Sequence, residues 1–571
     1  MQIVMMCCDV QAAGCWDHSR RISRSSGSGV ASSSQGNSAR GSQEELLVLA
    51  GARAKERSAW SNMTGHAAAA TALATNWHSL LLLPLSVLRH GGLAFLGLYT
   101  GLLVILGAPL VLAEMFLGQY SGLSAVHIFT NMCPLLSGLG GAMFVTIILR
   151  SVMNISLMVW VSRALYDIFT LFDTDTGMET VKEVVTLQHS TPTSAALFSL
   201  EYSELITLAV VIILLFLLGL GGVRAIGRIS QLSVMSSFLL LITLTIRCCL
   251  TVSGSEAVTS LLSPDWPQLS RPLVWLEAVV QVMYSLYLGL GVISTYSSHN
   301  SYSHNIVRDA MLVVAGHWTW IVLSSILLAS ILGMAGVEVT DSLGEMTAMD
   351  CMVTASEAMG RVSQGWLWLG LLLILVLVIS LTTTLGYITL IVSILPRFKR
   401  AVATPISLSL LFFLSLVLCN EAGPSLYLHI TASKLTTWPP LLYSFLTVLA
   451  LAWCHDLRYL EADLTSVTSS LLPHLVTSHL ASLLYTTIPA SLAASLYLIL
   501  FRLASANIYY LVTTILPLAP TLVGACFMTL RALRKYPRIV VSNEASVANI
   551  CCHLLSVKMT IPDLLWTTIC L

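Results

Sequence analysis

The chain has 571 residues; 56% are hydrophobic, only 10% are charged, and 28 basic side chains balance 28 acidic ones. Soluble domains carry roughly 25% charged residues, so this composition excludes a water-soluble globule. A net charge of zero suggests no nucleic-acid partner.

In chain order, residues 1–56 open with a stretch rich in Ser, Gly and Arg. They lack an apolar core with a cleavage site and read as a disordered cytoplasmic tail. Hydropathy then predicts an all-α polytopic membrane protein with twelve spans: 63–88, 93–117, 142–168, 204–222, 229–252, 273–297, 308–334, 365–395, 402–420, 436–455, 473–501 and 507–530. Crossing the hydrocarbon takes about 20 apolar residues, which these segments supply. Residues 536–571 read as a C-terminal cytoplasmic tail.

Basic residues sort to one side of this count: Arg53, Lys55, Arg57, Arg224, Arg228, Arg308, Arg397, Lys399, Arg400, Arg531, Arg534, Lys535 and Arg538. The opposite side is acidic, with Asp173, Asp175, Glu179, Asp265, Glu338, Asp341, Glu345 and Asp350. The positive-inside rule predicts both termini in the cytoplasm, as an even number of spans requires. The cysteines show no C-x-x-C spacing, and no metal-ligand cluster, nucleophile elbow or phosphate loop marks an enzyme.

Ordered motifs then narrow the reading. Arg57-Ser-Ala-Trp60 precedes the first span and Pro84 lies within it. His90-Gly91-Gly92-Leu93-Ala94-Phe95, Gly107-Ala108-Pro109-Leu110 and Glu114-Met-Phe-Leu-Gly118-Gln119-Tyr120 follow. Further on come Gly222-Val-Arg224-Ala-Ile-Gly227-Arg228, Pro264-Asp265-Trp266, Gln281-Val-Met-Tyr284-Ser285-Leu286 and Arg308-Asp309-Ala310. In this order and spacing they resemble the neurotransmitter:sodium symporter family over roughly residues 57–460.

The resemblance implies a 5+5 inverted repeat with discontinuous helices 1 and 6, plus two additional helices. Inverted repeats with broken helices are the architecture of a bacterial member of the same family. The resemblance divides the chain into a first repeat at 57–252, a second at 253–460 and helices 11–12 at 461–535. It implies sodium-coupled symport of a small amino acid or neurotransmitter-like zwitterion at the plasma membrane, with or without chloride and with no organic cofactor. The alternative is a transport-incompetent member acting as a regulatory partner in the bilayer. A homo-oligomer or an accessory subunit is left open.

Site residues follow by position. One sodium set is Ala72, Thr75, Ile379, Thr382 and Thr383; the other is Ala74, Ser79 and Ser285, with His317 where the family has Asn. His317 suits interhelical hydrogen bonding better than sodium. Tyr99, Gln281 and Ser285 match chloride donors. Asn76, His78, Asn154, Tyr284 and Tyr287 occupy substrate positions, with Asn76-Trp77-His78-Ser79 replacing a glycine-rich break. Loss of those glycines is expected to make the break harder to form. Asn76 supplies no charge for an amine, which disfavours a monoamine. Leu82 and Ser433 replace the outer gate pair, and Arg397 faces Arg57 where an inner pair is usual. Arg150, within the third span, is expected to pair with Glu114.

Overall fold

A computed structural model of the chain describes residues 59–454 apart from 63, 133–135, 172–201, 302–303, 338–345, 396–397, 421 and 433–437, together with 519–520 and 523–524. The predicted spans at 473–501 and 507–530 therefore lie almost wholly outside the described residues, as do both tails.

Among the described residues every regular element is a helix, and there is no strand. The elements are α1 (Gly65–Ala74), α2 (His78–Arg89), α3 (Leu93–Ser121), α4 (Ala125–Met132), α5 (Leu139–Leu171), α6 (Tyr202–Leu220), α7 (Gly222–Cys249) and α8 (Val252–Leu262). They continue with α9 (Pro272–Ser285), α10 (Val292–Ser297), α11 (Ile306–Ala335), α12 (Ala348–Gly360), α13 (Gly365–Ser393), α14 (Arg400–Ser415), α15 (Gly423–Ala432) and α16 (Trp438–Cys454). Among the described residues, six helices are long and apolar enough to cross a membrane, and the bent pair α1–α2 makes a seventh.

Burial sorts the spans into centre and rim. The apolar windows of α5 and α13 are each 72% buried, whereas that of α6 is 22% buried. In a bilayer the outer face needs no partner other than lipid. Hence α6, α7 and α14 expose Val210, Ile213, Leu217, Leu232, Leu239 and Phe413 without penalty. α5 packs along α13, and α7 packs against α1, α11 and α13.

Two prolines explain two local distortions. Pro84 and Pro109 lack an N–H, so each leaves a carbonyl one turn earlier without its usual donor. In both places the helix widens into a π turn, at His78–Leu82 and Leu103–Gly107. Leu83 then donates to the carbonyl of His78, and Ala108 to that of Leu103. Such turns keep the backbone satisfied where no water can help.

Candidate functional site around two helix breaks

The first span breaks between α1 and α2 with a 56° bend. The break needs no glycine. Asn76 Oδ1 accepts from the Ser79 N–H at 3.0 Å, and Ser79 Oγ accepts from the Asn76 N–H at 2.9 Å. This reciprocal pair is a capping box in the middle of a membrane span. No residue there has a positive φ, so the expected glycine penalty does not arise. Asn76 Nδ2 also donates to the carbonyls of Leu73 at 2.8 Å and Ser285 at 2.9 Å, tying the first break to the second.

The second break separates α9 from α10 and does use glycine. Gly289 and Gly291 have φ of 77° and 73°, and Tyr287 between them and α9 has φ of 58°. That region is strained for an aromatic residue. Glu114 of α3 accepts from the Gly289 N–H at 2.5 Å and so satisfies the unwound backbone.

Between the breaks lies a cation among aromatic rings. The Arg150 guanidinium sits 4.3 Å from the Tyr284 ring centre and 5.0 Å from that of Tyr287, and Arg150 is 5% exposed. Tyr387 stands beside them, its ring centre 5.9 Å from that of Tyr287. This corrects the expected Arg150–Glu114 pair: Glu114 turns to the unwound segment, and Arg150 takes aromatic faces instead. His78 closes one side, its ring 4.1 Å from Tyr284 and its Nε2 2.7 Å from Gln281 Oε1. Asn154 Nδ2 donates to Ser380 O and Thr384 Oγ1, joining α5 to α13.

Beside the first break, Ala74, Ser79, Ser285 and Tyr99 converge with His317. His317 Nδ1 meets the Ala74 carbonyl at 2.9 Å, and its Nε2 lies 2.8 Å from Tyr99 Oη and 3.2 Å from Ser285 Oγ. Ser79 Oγ donates to the same Ala74 carbonyl at 3.1 Å. Gln281 does not join this group by hydrogen bonds: its amide donates to Ser86 Oγ and Glu277 Oε1.

On α13, Thr382 Oγ1 donates to the carbonyls of Val378 and Ile379, and Thr383 Oγ1 donates to Ile379 at 2.8 Å. Each hydroxyl oxygen keeps lone pairs after that donation. α1 passes close by: a Cβ on Gly386 would stand 2.8 Å from Leu73 Cδ2. Thr75 Oγ1 points back to Ala72 O at 3.4 Å. Ser233 of α7 lies 3.3 Å from Thr382 Oγ1, adding a third oxygen-bearing element at this place.

The family model for the sodium:neurotransmitter symporter family matches residues 57–193 and 181–532. The chain belongs to the sodium:neurotransmitter symporter family. Members of that family are transporters rather than enzymes. Similar proteins include the sodium-dependent serotonin transporter of Drosophila melanogaster, 25% identical over 52% of each chain. The sodium-dependent nutrient amino acid transporter 1 of Drosophila grimshawi is 27% identical over 49% of this chain and 50% of its own. Human sodium- and chloride-dependent creatine transporter 1 is 22% identical over 64% of this chain and 65% of its own. The chain spans about half the length of most of the curated relatives it matches.

Within this symporter-family chain, the sequence singled out most of the residues at the two breaks. It missed Tyr387 and Ser233, which carry no motif and become visible only through packing. Of the gate positions, Leu82 is half-buried, while Arg57, Arg397 and Ser433 lie outside the described residues.

Proposed function

We infer that the protein is a sodium-coupled symporter of the plasma membrane, with twelve spans in a 5+5 inverted repeat plus two helices and with both termini cytoplasmic. It moves a small solute bearing a carboxylate. The reading rests on one observation: the backbone is interrupted at 75–77 and again at 286–291, in the first and sixth spans, with oxygen-rich α13 beside the first interruption. Interrupted helices free polar backbone groups at mid-membrane for ions and substrate.

One sodium is assigned to Ala72, Thr75, Ile379, Thr382 and Thr383. Sodium is a hard cation, and uncharged hydroxyl and carbonyl oxygens suit it. Its binding ties α1 to α13, and a preference for one conformation over the other is what couples ion to solute. The Ala74, Ser79 and Ser285 set is assigned no sodium, because His317 directs a ring N–H at the Ala74 carbonyl. Chloride is assigned no site either, since Tyr99 pairs with His317 and the Gln281 amide is turned to Ser86 and Glu277.

Arg150 is the carboxylate partner of the solute. It lies over Tyr284 and Tyr287 at the second break, and a planar guanidinium recognises a carboxylate in two-point fashion. Asn76 is bound to Leu73 and Ser285 and supplies no anion for an amine. Neutral or acidic amino acids and related zwitterions fit; monoamines do not. The test is uptake of radiolabelled amino acids in sodium against choline medium. Sodium-dependent uptake supports the reading, and equal uptake in both media overturns it and favours a non-transporting partner.

A further inference from the structure

A second polar cluster lies away from the helix breaks, at the end of the bundle marked by Trp60 and Arg224. Ser61 Oγ donates to the Arg224 carbonyl there, and Trp60 packs edge-on against His66 and Tyr296. His66 of α1, His304 of the segment before α11, and Asp309 of α11 bring three ligand atoms within 4.8 Å of one another. His66 Nδ1 and His304 Nε2 each lie 2.7 Å from Asp309 Oδ2. The two imidazoles stand at 86° with centres 5.8 Å apart. Asp309 is wholly buried, and its other oxygen receives Arg308 at 3.1 Å.

His66 bridges two oxygens: its Nε2 lies 2.9 Å from Ser297 Oγ and its Nδ1 2.7 Å from Asp309 Oδ2. Without metal, a ring proton on Nδ1 satisfies the Asp309 contact and the Ser297 hydroxyl can turn to Nε2. With a metal on Nδ1, the ring proton sits on Nε2 and donates to Ser297 Oγ. The Ser297 contact is the arrangement found behind metal-bound histidines, whose other N–H is held by an oxygen that fixes the tautomer.

We propose that His66, His304 and Asp309 form a transition-metal site of the zinc class that joins the first span to the seventh. Two imidazole nitrogens and one carboxylate oxygen are a donor set for zinc rather than for sodium or magnesium. Zinc bonds of about 2.1 Å in a tetrahedron place ligand atoms about 3.4 Å apart. The 2.7 Å contacts open by about 0.7 Å to admit the ion. The metal takes His66 Nδ1, the one proton of the neutral ring sits on Nε2 and is held by Ser297 Oγ, and a water completes the fourth position. His304 is the entry side, being 15% exposed at its side chain. Bound metal fixes α1 to α11 at this end and restrains movement of the first span.

The site does not depend on transport and is tested by binding. Purified full-length protein, stripped with chelator, is titrated with zinc in competition with a chromophoric chelator. One site is expected, weakened at least about tenfold in His304→Ala and in Ser297→Ala, whose hydroxyl only orients His66. His90→Ala, whose ring stacks on Phe95 at another place, keeps full affinity. Gel-filtration behaviour of each variant reports its fold independently. Absence of zinc binding by the wild type, or equal affinity in well-folded His304→Ala, overturns the proposal.

Discussion

The imidazole of His317 donates to the Ala74 carbonyl at 2.9 Å. That carbonyl can only accept, so Nδ1 carries the proton and Nε2 of the neutral ring accepts from Tyr99 at 2.8 Å. One side chain thereby links α1, α3 and α11 at a place where sodium and chloride ligands were expected. Uptake by the wild type should therefore be unchanged when chloride is replaced by gluconate. A requirement for chloride would show that the Tyr99, Ser285 and Gln281 donors can reassemble around an anion.

His317→Ala leaves the Ala74 carbonyl and the Tyr99 hydroxyl buried with a lost partner. A buried polar group so treated costs about 1–3 kcal/mol. The variant should unfold at lower temperature than the wild type in detergent, as read by thermal aggregation with gel filtration. An unchanged transition would mean that the network contributes nothing to the fold.

Gly118 and Gly289 stand where backbones of different elements approach closely. A Cβ on Gly118 would collide with the Ser294 carbonyl, and one on Gly289 with the Pro440 carbonyl. Gly289 also has φ of 77°, so an L side chain is strained there even without the collision. Gly118→Ala and Gly289→Ala should each reduce folded yield severely, whereas Gly97→Ala, with nothing within 4 Å, should not. Comparable yields for all three would contradict the packing of α3 against α10 and of the second break against α16.

Arg150→Lys keeps the charge but loses the flat guanidinium lying over Tyr284 and Tyr287. Lysine cannot hold a carboxylate at two points. The apparent KM for the transported solute should rise at least about tenfold, equivalent to about 1.4 kcal/mol of binding. An unchanged KM would remove Arg150 from the solute site.

Much of this molecule is legible in its residues alone. Long apolar runs locate α3, α5, α11 and α13 because lipid tolerates little else, and the order of short motifs locates both helix breaks. Other features are not legible, for reasons that differ. The break at Asn76 is expected to suffer for lack of glycine, yet Asn76 and Ser79 cap each other, a pairing that a glycine pattern cannot reveal. The Arg150–Glu114 pair is the natural expectation for two opposite charges within the membrane. It fails because Gly289 offers Glu114 an unwound N–H, and aromatic faces surround Arg150. The sequence shows no metal-ligand spacing because His66 and Asp309 are 243 residues apart and meet only when α1 lies against α11. The predicted spans at 473–501 and 507–530 lie almost wholly outside the described residues.

Coupled transport is the central claim, and the sodium set on α1 and α13 carries it. The direct test is solute accumulation in proteoliposomes under an imposed inward sodium gradient, with a sodium ionophore as control. The account predicts uphill accumulation that the ionophore abolishes and that Thr383→Ala reduces at least about tenfold at low sodium, through loss of one oxygen ligand. Accumulation that ignores the gradient, or that survives Thr383→Ala with unchanged sodium dependence, would contradict it.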